Sequence, residues 1–310
     1  MNLKNIQISQ ILDNTKLVKV IQNAEKIFCS WYSERYFEKI RKAFQLTFLL
    51  FNGKFPGYKA CNTEYHDFSH TVDAFVAVLR LIDGYNFSER LLPVKIARNL
   101  ILASLLHDTG YIQEKDDNDG TGAKYTKNHV ERSSLFLIKN RDFFNIEPDE
   151  LNEISNYISS TGLNVQWEKI PFENEEQEIA GAMMGTADLL GQMADRRYLE
   201  KLLFLYYEFK EAGIPGYDTE FDILRKTLDF YKVTMERLDG TLLKVYRYAE
   251  EHFKNRYDIP YNLYLIAIDR HMEYIKKILS DQTTNFRKKL RRMDLENIEK
   301  KYKSTYLFTG

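Results

Sequence analysis

Apolar residues recur along most of the chain at the three- and four-residue spacing of α-helices. Val72, Phe75, Val76 and Leu79 step by three, one and three positions, which places them on one helix face. The segment IARNLILASLL at residues 96–106 is apolar almost all round, as is typical of a buried central helix. Further helical patterns occupy residues 151–158, 176–190, 197–210, 220–238, 241–254 and 261–280. Convincing two-residue alternation is absent, so we predict an all-α fold of roughly a dozen helices.

The chain of 310 residues suffices for one large domain or two modest ones. No linker, internal repeat or low-complexity tract divides it, so we predict a single all-helical domain over residues 1–310. The segment 112–124 is polar, acidic and glycine-bearing. It is predicted to be a long loop that is either functional or a solvated excursion. Residues 283–303 are predicted to form a charged helix that extends into solvent or packs at a homodimer contact.

Composition excludes several classes of partner. Lys and Arg number 44 against 45 Asp and Glu, a net charge of −1, so no global charge attracts nucleic acid or acidic membranes. No apolar run approaches the roughly 18 residues of a membrane span, and the first ten residues lack the apolar stretch of a signal peptide. Two cysteines, Cys29 and Cys61, do not make a disulfide framework. We therefore expect a cytoplasmic protein that acts on a small molecule.

Two of the six histidines, His66 and His70, lie in EYHDFSHTVDAF at residues 64–75, where a helical pattern begins. A spacing of four residues is one helical turn, so both side chains are predicted to face one site. The arrangement suggests that one histidine binds a metal and the other handles a proton. Partners from distant parts of the chain are required to complete such a site.

The apolar helix at 96–106 is predicted to end in the pair His107–Asp108, with Thr109 and Gly110 stopping it, since glycine is the usual residue past a helix end. A buried carboxylate is costly unless it is paired or bound to a metal. A divalent cation would satisfy both side chains of the pair.

Two further segments supply polar residues in suggestive places. In TKNHVERSS, Asn128 and Glu131 are predicted to form a helix N-cap and its reciprocal partner, which would put His129 at the first helical position. In GTADLLGQ, Asp188 is surrounded by apolar and small residues. An unpaired carboxylate there would be unfavourable, so we expect Asp188 to have a partner.

These segments together resemble a known family. YHDFSHT at 65–71, HD at 107–108, NH at 128–129 and ADL at 187–189 follow in order the motifs of the HD superfamily of metal-dependent phosphohydrolases. They are most similar to the catalytic domain of class I cyclic-nucleotide phosphodiesterases. An HD pair alone is weak evidence, but four elements in order are fairly specific. The resemblance covers roughly residues 60–240.

The resemblance implies an all-helical fold and a metal site. The implied ligands of a first metal (zinc, iron or manganese) are His70, His107, Asp108 and Asp188, and Asp108 would also reach a second metal (magnesium or manganese). A hydroxide activated by these metals would attack the phosphate. His66 would be the general acid that protonates the leaving alkoxide, because a histidine can carry a proton near neutral pH.

A carboxylate is expected to hold His66 in its protonated form, but the sequence does not identify that carboxylate. His129 is expected near metal-bound waters or the phosphate; in other HD proteins, a histidine at such a helix start ligates a second metal directly.

Three positions depart from the phosphodiesterase pattern. Tyr111 stands where the family has a histidine three residues after the aspartate, and Lys127 where it usually has a glutamate before Asn-His. Both changes are expected to weaken or empty the second metal site. If residues 222–232 correspond to the purine-binding segment, Phe230 provides base stacking, but Thr227 replaces the glutamine that reads the purine.

The sequence therefore predicts a divalent-metal-dependent phosphohydrolase, with a phosphodiesterase of the 3′,5′-cyclic-nucleotide type as the leading hypothesis. Two alternatives remain: a nucleotide phosphomonoesterase or alarmone hydrolase on the same metal core, and a nucleotide-sensing module with little turnover. The motifs HExxH, GxSxG and a P-loop are absent from the sequence, which argues against zincins, serine esterases and P-loop nucleotide hydrolases.

Overall fold

The helices predicted from the apolar spacing are present in the computed structural model, which describes residues 6–281, 285–296 and 300. These residues form twelve α-helices and no β-strand, which confirms the all-α prediction. The helices are α1 (Ile8–Ile11), α2 (Leu17–Cys29), α3 (Phe37–Phe51), α4 (Phe68–Ser88), α5 (Val94–Leu106), α6 (His129–Asn140), α7 (Pro148–Ser159), α8 (Glu175–Ala194), α9 (Tyr198–Glu211), α10 (Glu220–Asp239), α11 (Arg247–Tyr257) and α12 (Leu263–Ser280).

Helices α4, α5 and α8 form the centre of the bundle. Most residues of α4 and α5 are buried, as expected for helices that are apolar on nearly every side. Helix α8 packs against both, and its many alanines and glycines permit a close approach of backbones. The four candidate metal ligands lie on these central helices or directly after them. Within the described ranges, no helix is both long and apolar enough to cross a bilayer.

One predicted helix boundary in the C-terminal third of the chain is wrong. The pattern at 241–254 becomes a helix only from Arg247, because Leu243 and Lys244 adopt left-handed backbone angles (φ 53° and 56°) that a helix cannot contain. In the described part of the helix predicted at 283–303, Phe286–Lys289 form a 3₁₀ turn and residues 295, 296 and 300 are helical, so this prediction stays a prediction. Leu290 follows the 3₁₀ turn and is buried; residues 282–284, 297–299 and 301–310 lie outside the described residues.

The segment 112–124 is a tethered loop that ends in a 3₁₀ turn at Gly122–Tyr125. Asp117 accepts hydrogen bonds from Lys124 Nζ at 2.6 Å and from the Tyr125 hydroxyl, and these bonds hold its pKa below the usual range although desolvation opposes them. Thr121 Oγ1 donates to Glu211 Oε2 on α9 at 2.7 Å. These contacts fasten the loop to the helix that borders the candidate site.

Candidate metal centre and its neighbours

His70 lies in the first turn of α4, and His66 lies just outside that helix. Asp67 caps α4, since its Oδ1 accepts a hydrogen bond from the His70 backbone N–H at 3.0 Å. The helix therefore begins at Phe68, and the expectation that His66 and His70 occupy one helical turn is wrong. The two rings nevertheless face the same region, with centroids 5.9 Å apart.

The His107–Asp108 pair follows α5 as predicted, but the glycine after it serves another purpose. Residues Thr109–Tyr111 form a 3₁₀ turn, and Gly110 is not among the residues with positive φ. A Cβ at Gly110 would lie 2.0 Å from the backbone oxygen of His129. Glycine is therefore required because the start of α6 packs directly on this turn, and not because of a left-handed helix end.

The four residues predicted as metal ligands come together. The Nε2 atoms of His70 and His107 are 3.4 Å apart. Asp108 Oδ2 lies 3.3 Å from each of these nitrogens, and Asp188 Oδ1 lies 3.0 Å from that of His70 and 3.6 Å from that of His107. The side chains of the first three are at most 4% exposed, whereas that of Asp188 is 14% exposed.

This donor set fits a divalent cation. His107 Nδ1 donates to the Ser104 carbonyl at 2.9 Å, which leaves the lone pair on Nε2 facing the cluster. Bonds of about 2.1 Å at tetrahedral or octahedral angles put neighbouring ligand atoms about 3.0–3.4 Å apart, close to the observed separations. Asp108 Oδ2 is buried and has no hydrogen-bond partner among the described residues. The buried group of His70, His107 and Asp108 could therefore hold a metal ion, with Asp188 beside it.

The charges in the cluster are strongly coupled. Burial lowers the pKa of His70, but the adjacent carboxylates of Asp108 and Asp188 outweigh this effect and raise the pKa to about 10. In the opposite direction, burial raises the pKa of Asp188, but His107 and His70 bring it well below its ordinary value. The carboxylates therefore stay ionised, and a cation must displace protons from the imidazoles in order to bind.

Glu208 on α9 holds His66. The Nδ1 atom of His66 donates to Glu208 Oε2 at 2.6 Å, and the Glu208 side chain is fully buried. Its other oxygen accepts the backbone N–H groups of Tyr65 at 2.8 Å and Glu64 at 3.0 Å. This is the carboxylate that the sequence did not identify. The only signal for it is position: Glu208 follows Phe204 by one turn, on the buried side of the 197–210 pattern.

The Tyr111 ring contacts the rings of both His66 and His129. Its centroid is 4.2 Å from that of His66 with planes 12° apart, and 4.6 Å from that of His129 with planes 23° apart. The phenol is buried, and burial raises its pKa well above the ordinary value, so it is neutral. The Tyr111 hydroxyl oxygen lies 3.4 Å from His66 Nε2. Tyr111, one of the three departures from the phosphodiesterase pattern, is thus in direct contact with the candidate acid His66.

His129 occupies the first position of α6, as predicted. Asn128 is the N-cap residue, but its side chain makes no capping hydrogen bond, so the predicted Asn128–Glu131 capping pair is wrong. His129 Nδ1 donates instead to the Thr126 carbonyl at 2.8 Å, and burial lowers the pKa of His129. A neutral imidazole therefore stacks on Tyr111 at the border of the site.

The other residues singled out by the family resemblance, Lys127, Thr227 and Phe230, lie on the surface or on α10. Lys127 is exposed and its Nζ donates to the Gly213 carbonyl at 3.1 Å, so its charge is not buried at the centre. Thr227 is buried and its Oγ1 donates to the Ile223 carbonyl of its own helix at 2.8 Å. Phe230, one turn later, is half-buried and packs against the core. The position of Thr227 offers no free amide or hydroxyl donor of the kind that reads a purine.

Comparison with known proteins gives one match. A family model described as Npun_R2479-like matches residues 115–252, less than half of the chain. The matched region includes His129, Asp188 and Glu208. It does not include the candidate ligands His70, His107 and Asp108. No curated protein and no solved structure matches.

Proposed function

We propose that the protein is a divalent-metal-dependent phosphohydrolase, and that its substrate is a phosphodiester of the 3′,5′-cyclic-nucleotide type. The observation that carries this proposal is the convergence of four ligand atoms with separations of 3.0–3.6 Å. A histidine held by a fully buried carboxylate lies beside them. The order of the motifs, which resembles that of the phosphodiesterases, supports the same reaction class.

A divalent cation bound by the four side chains would neutralise phosphate oxygens and lower the pKa of coordinated water. Two imidazoles and two carboxylates suit zinc, iron or manganese. A second cation, of the magnesium or manganese type, would depend on Asp108 and water. Tyr111 and Lys127 replace the histidine and glutamate of the phosphodiesterase pattern, which would alter the water shell of that second cation.

His66 carries the proton that the leaving alkoxide needs. The Glu208 carboxylate accepts the Nδ1 proton, so a second proton on Nε2 makes an imidazolium that is paired with a buried negative charge. That Nε2 proton is available for transfer to the leaving oxygen, after which the neutral imidazole keeps its Nδ1–H bond to Glu208. The ring is held in place by Tyr111 on one face, which limits its rotation.

The lack of a purine-reading group at Thr227 favours a second candidate, a nucleotide phosphomonoesterase on the same metal core. A monoester substrate presents the same phosphoryl group to the cation but requires no selection between cyclic purine nucleotides.

Hydrolysis of a bis-aryl phosphodiester and of an aryl phosphate monoester, with added manganese, tests these proposals. We expect diester hydrolysis that is abolished in D108N while E211Q, on the loop-facing side of α9, retains it. A preference for the monoester would support the second candidate. A metal-loaded protein that hydrolyses no phosphate ester would contradict both and support a nucleotide-sensing module.

A further inference from the structure

One nitrogen of a guanidinium near the candidate metal centre has no hydrogen-bond partner in the part of the chain that the structure describes. Arg237 is in the last turn of α10, and its Nη2 donates to the backbone carbonyl of Ser160 at 2.8 Å. The other terminal nitrogen, Nη1, is buried and has no hydrogen-bond partner among the described residues. A buried donor of a charged group that lacks an acceptor is unfavourable, so its placement calls for an explanation.

The backbone places Arg237 beside Asp188. The Ser160 carbonyl that anchors Arg237 also packs on Gly185 of α8, where a Cβ would lie 2.6 Å from the carbonyl oxygen. Gly185 precedes Asp188 by three residues, so the two occupy neighbouring positions on one face of α8. The Ser160 carbonyl, which holds the Arg237 guanidinium, therefore packs on α8 about one helical turn from the candidate ligand Asp188. Burial lowers the pKa of Arg237, and the charge of Asp188 is what opposes this effect.

Two atoms of opposite charge that form no hydrogen bond within the described residues therefore lie in the region of Asp188. Asp108 Oδ2 lacks a donor and Arg237 Nη1 lacks an acceptor among the described residues. A divalent cation satisfies the first. An anion bound to that cation on the side of Asp188, the most exposed of the four ligands, would satisfy the second.

We propose that Arg237 forms an anion-binding subsite of the metal centre, in which Nη1 donates to a non-bridging oxygen of the phosphoryl group. This inference rests on the proposed function for the identity of the anion. The planar guanidinium can keep its Ser160 bond through Nη2 while Nη1 contacts phosphate, and the compact ammonium of a lysine does not reproduce this fixed pair of donors. The subsite would thus bind the phosphoryl group, which phosphate esters and inorganic phosphate share.

Binding of inorganic phosphate to the manganese-loaded protein tests the subsite without requiring turnover. The variant is R237Q, and the matched control is R225Q on the same helix, since Arg225 is exposed and bonds to Asp222 at 2.9 Å. Paramagnetic broadening of the phosphate ³¹P resonance reports binding next to the metal. We expect R237Q to bind phosphate about 10- to 100-fold more weakly, with metal content unchanged, and R225Q to bind like the parent protein.

Phosphate affinity in R237Q within twofold of the parent value would overturn the subsite, as would a parent protein that binds no phosphate. If R237Q does not fold or load metal, R237K is used; a several-fold loss is expected, and an unchanged affinity would overturn the inference. The two proposals fail separately. Arg237-dependent phosphate binding without ester hydrolysis would refute only the proposed function, whereas ester hydrolysis with equal phosphate affinity in R237Q would refute only the subsite.

Discussion

Replacing Glu208 by glutamine tests the proton-transfer half of the proposed mechanism. The substitution keeps the shape of a fully buried side chain, and its amide oxygen can still accept the Tyr65 backbone N–H. Its amide NH₂ then faces His66 Nδ1, where the native carboxylate accepts a proton at 2.6 Å. Two donors cannot share that contact, so His66 must offer its Nδ1 lone pair and keep its proton on Nε2. The negative charge that pairs with a protonated His66 ring is then absent.

The size of the effect follows from the lost interaction. A hydrogen bond to a charged group contributes about 1.5–3 kcal/mol, which corresponds to about a 10- to 150-fold decrease in kcat/KM. Complete removal of a general acid costs about 100- to 10,000-fold, so H66A is expected to lose more than E208Q. Both losses should appear only where the leaving group needs a proton.

The assay therefore compares two phosphodiesters. A 3′,5′-cyclic nucleotide has an alkoxide leaving group, whereas bis(4-nitrophenyl) phosphate has an aryl leaving group that barely needs protonation. We expect E208Q to lose activity with the first and to retain it with the second. The control E211Q changes a carboxylate of the same helix that bonds to Thr121. Equal losses on both substrates would mean that Glu208 acts on the metal site or the fold, and no loss on either would refute the acid role of His66.

Three further predictions concern the surrounding structure. D83N should lower the free energy of unfolding by about 3–5 kcal/mol, because the fully buried carboxylate pairs with Arg256 at 2.6 Å; denaturation in urea measures this, and a loss below 1 kcal/mol would contradict it. Burial lowers the pKa of His252 to about 4 in the folded protein. As pH falls from 6.5 to about 4, His252 therefore becomes protonated in the unfolded chain but stays neutral in the folded protein. The free energy of unfolding should decrease by up to about 3 kcal/mol across this window, and H252Q, compared by urea denaturation at pH 7.5 and 4.5, should reduce the decrease; an identical pH dependence in H252Q would refute the assignment. Y111L should reduce hydrolysis of the cyclic nucleotide about 10- to 100-fold by freeing the His66 ring while sparing the aryl diester, and an equal loss on both substrates would show that the stack serves the metal site instead.

The fold was predictable because most helices bury wide apolar faces. Residues 96–106 and the pattern around Val72 lie close to the observed α5 and α4, whose sequences leave no polar face to suggest a loop. The failures occur where single contacts decide the backbone. Asp67 caps α4 one residue after His66, and the left-handed Leu243 and Lys244 delay α11; neither event changes the apolar spacing.

The site was predictable only as far as polar residues stood out against an apolar background. His107, Asp108 and Asp188 do so, and the structure brings them together with His70. Glu208 and Arg237 do not, because their helices carry several other charged residues. Which of these charges faces inward depends on tertiary packing, such as the Ser160 carbonyl that anchors Arg237.

The central claim is that His70, His107, Asp108 and Asp188 together hold a divalent cation. The most direct measurement is elemental analysis of the purified protein after extensive desalting, compared with H70A, D188N and the control E211Q. We expect about one equivalent of a divalent transition metal in the parent protein and in E211Q, and a nearly complete loss of metal in H70A and D188N. Equal metal content in all four proteins, or none in the parent after addition of zinc, iron and manganese, would contradict it.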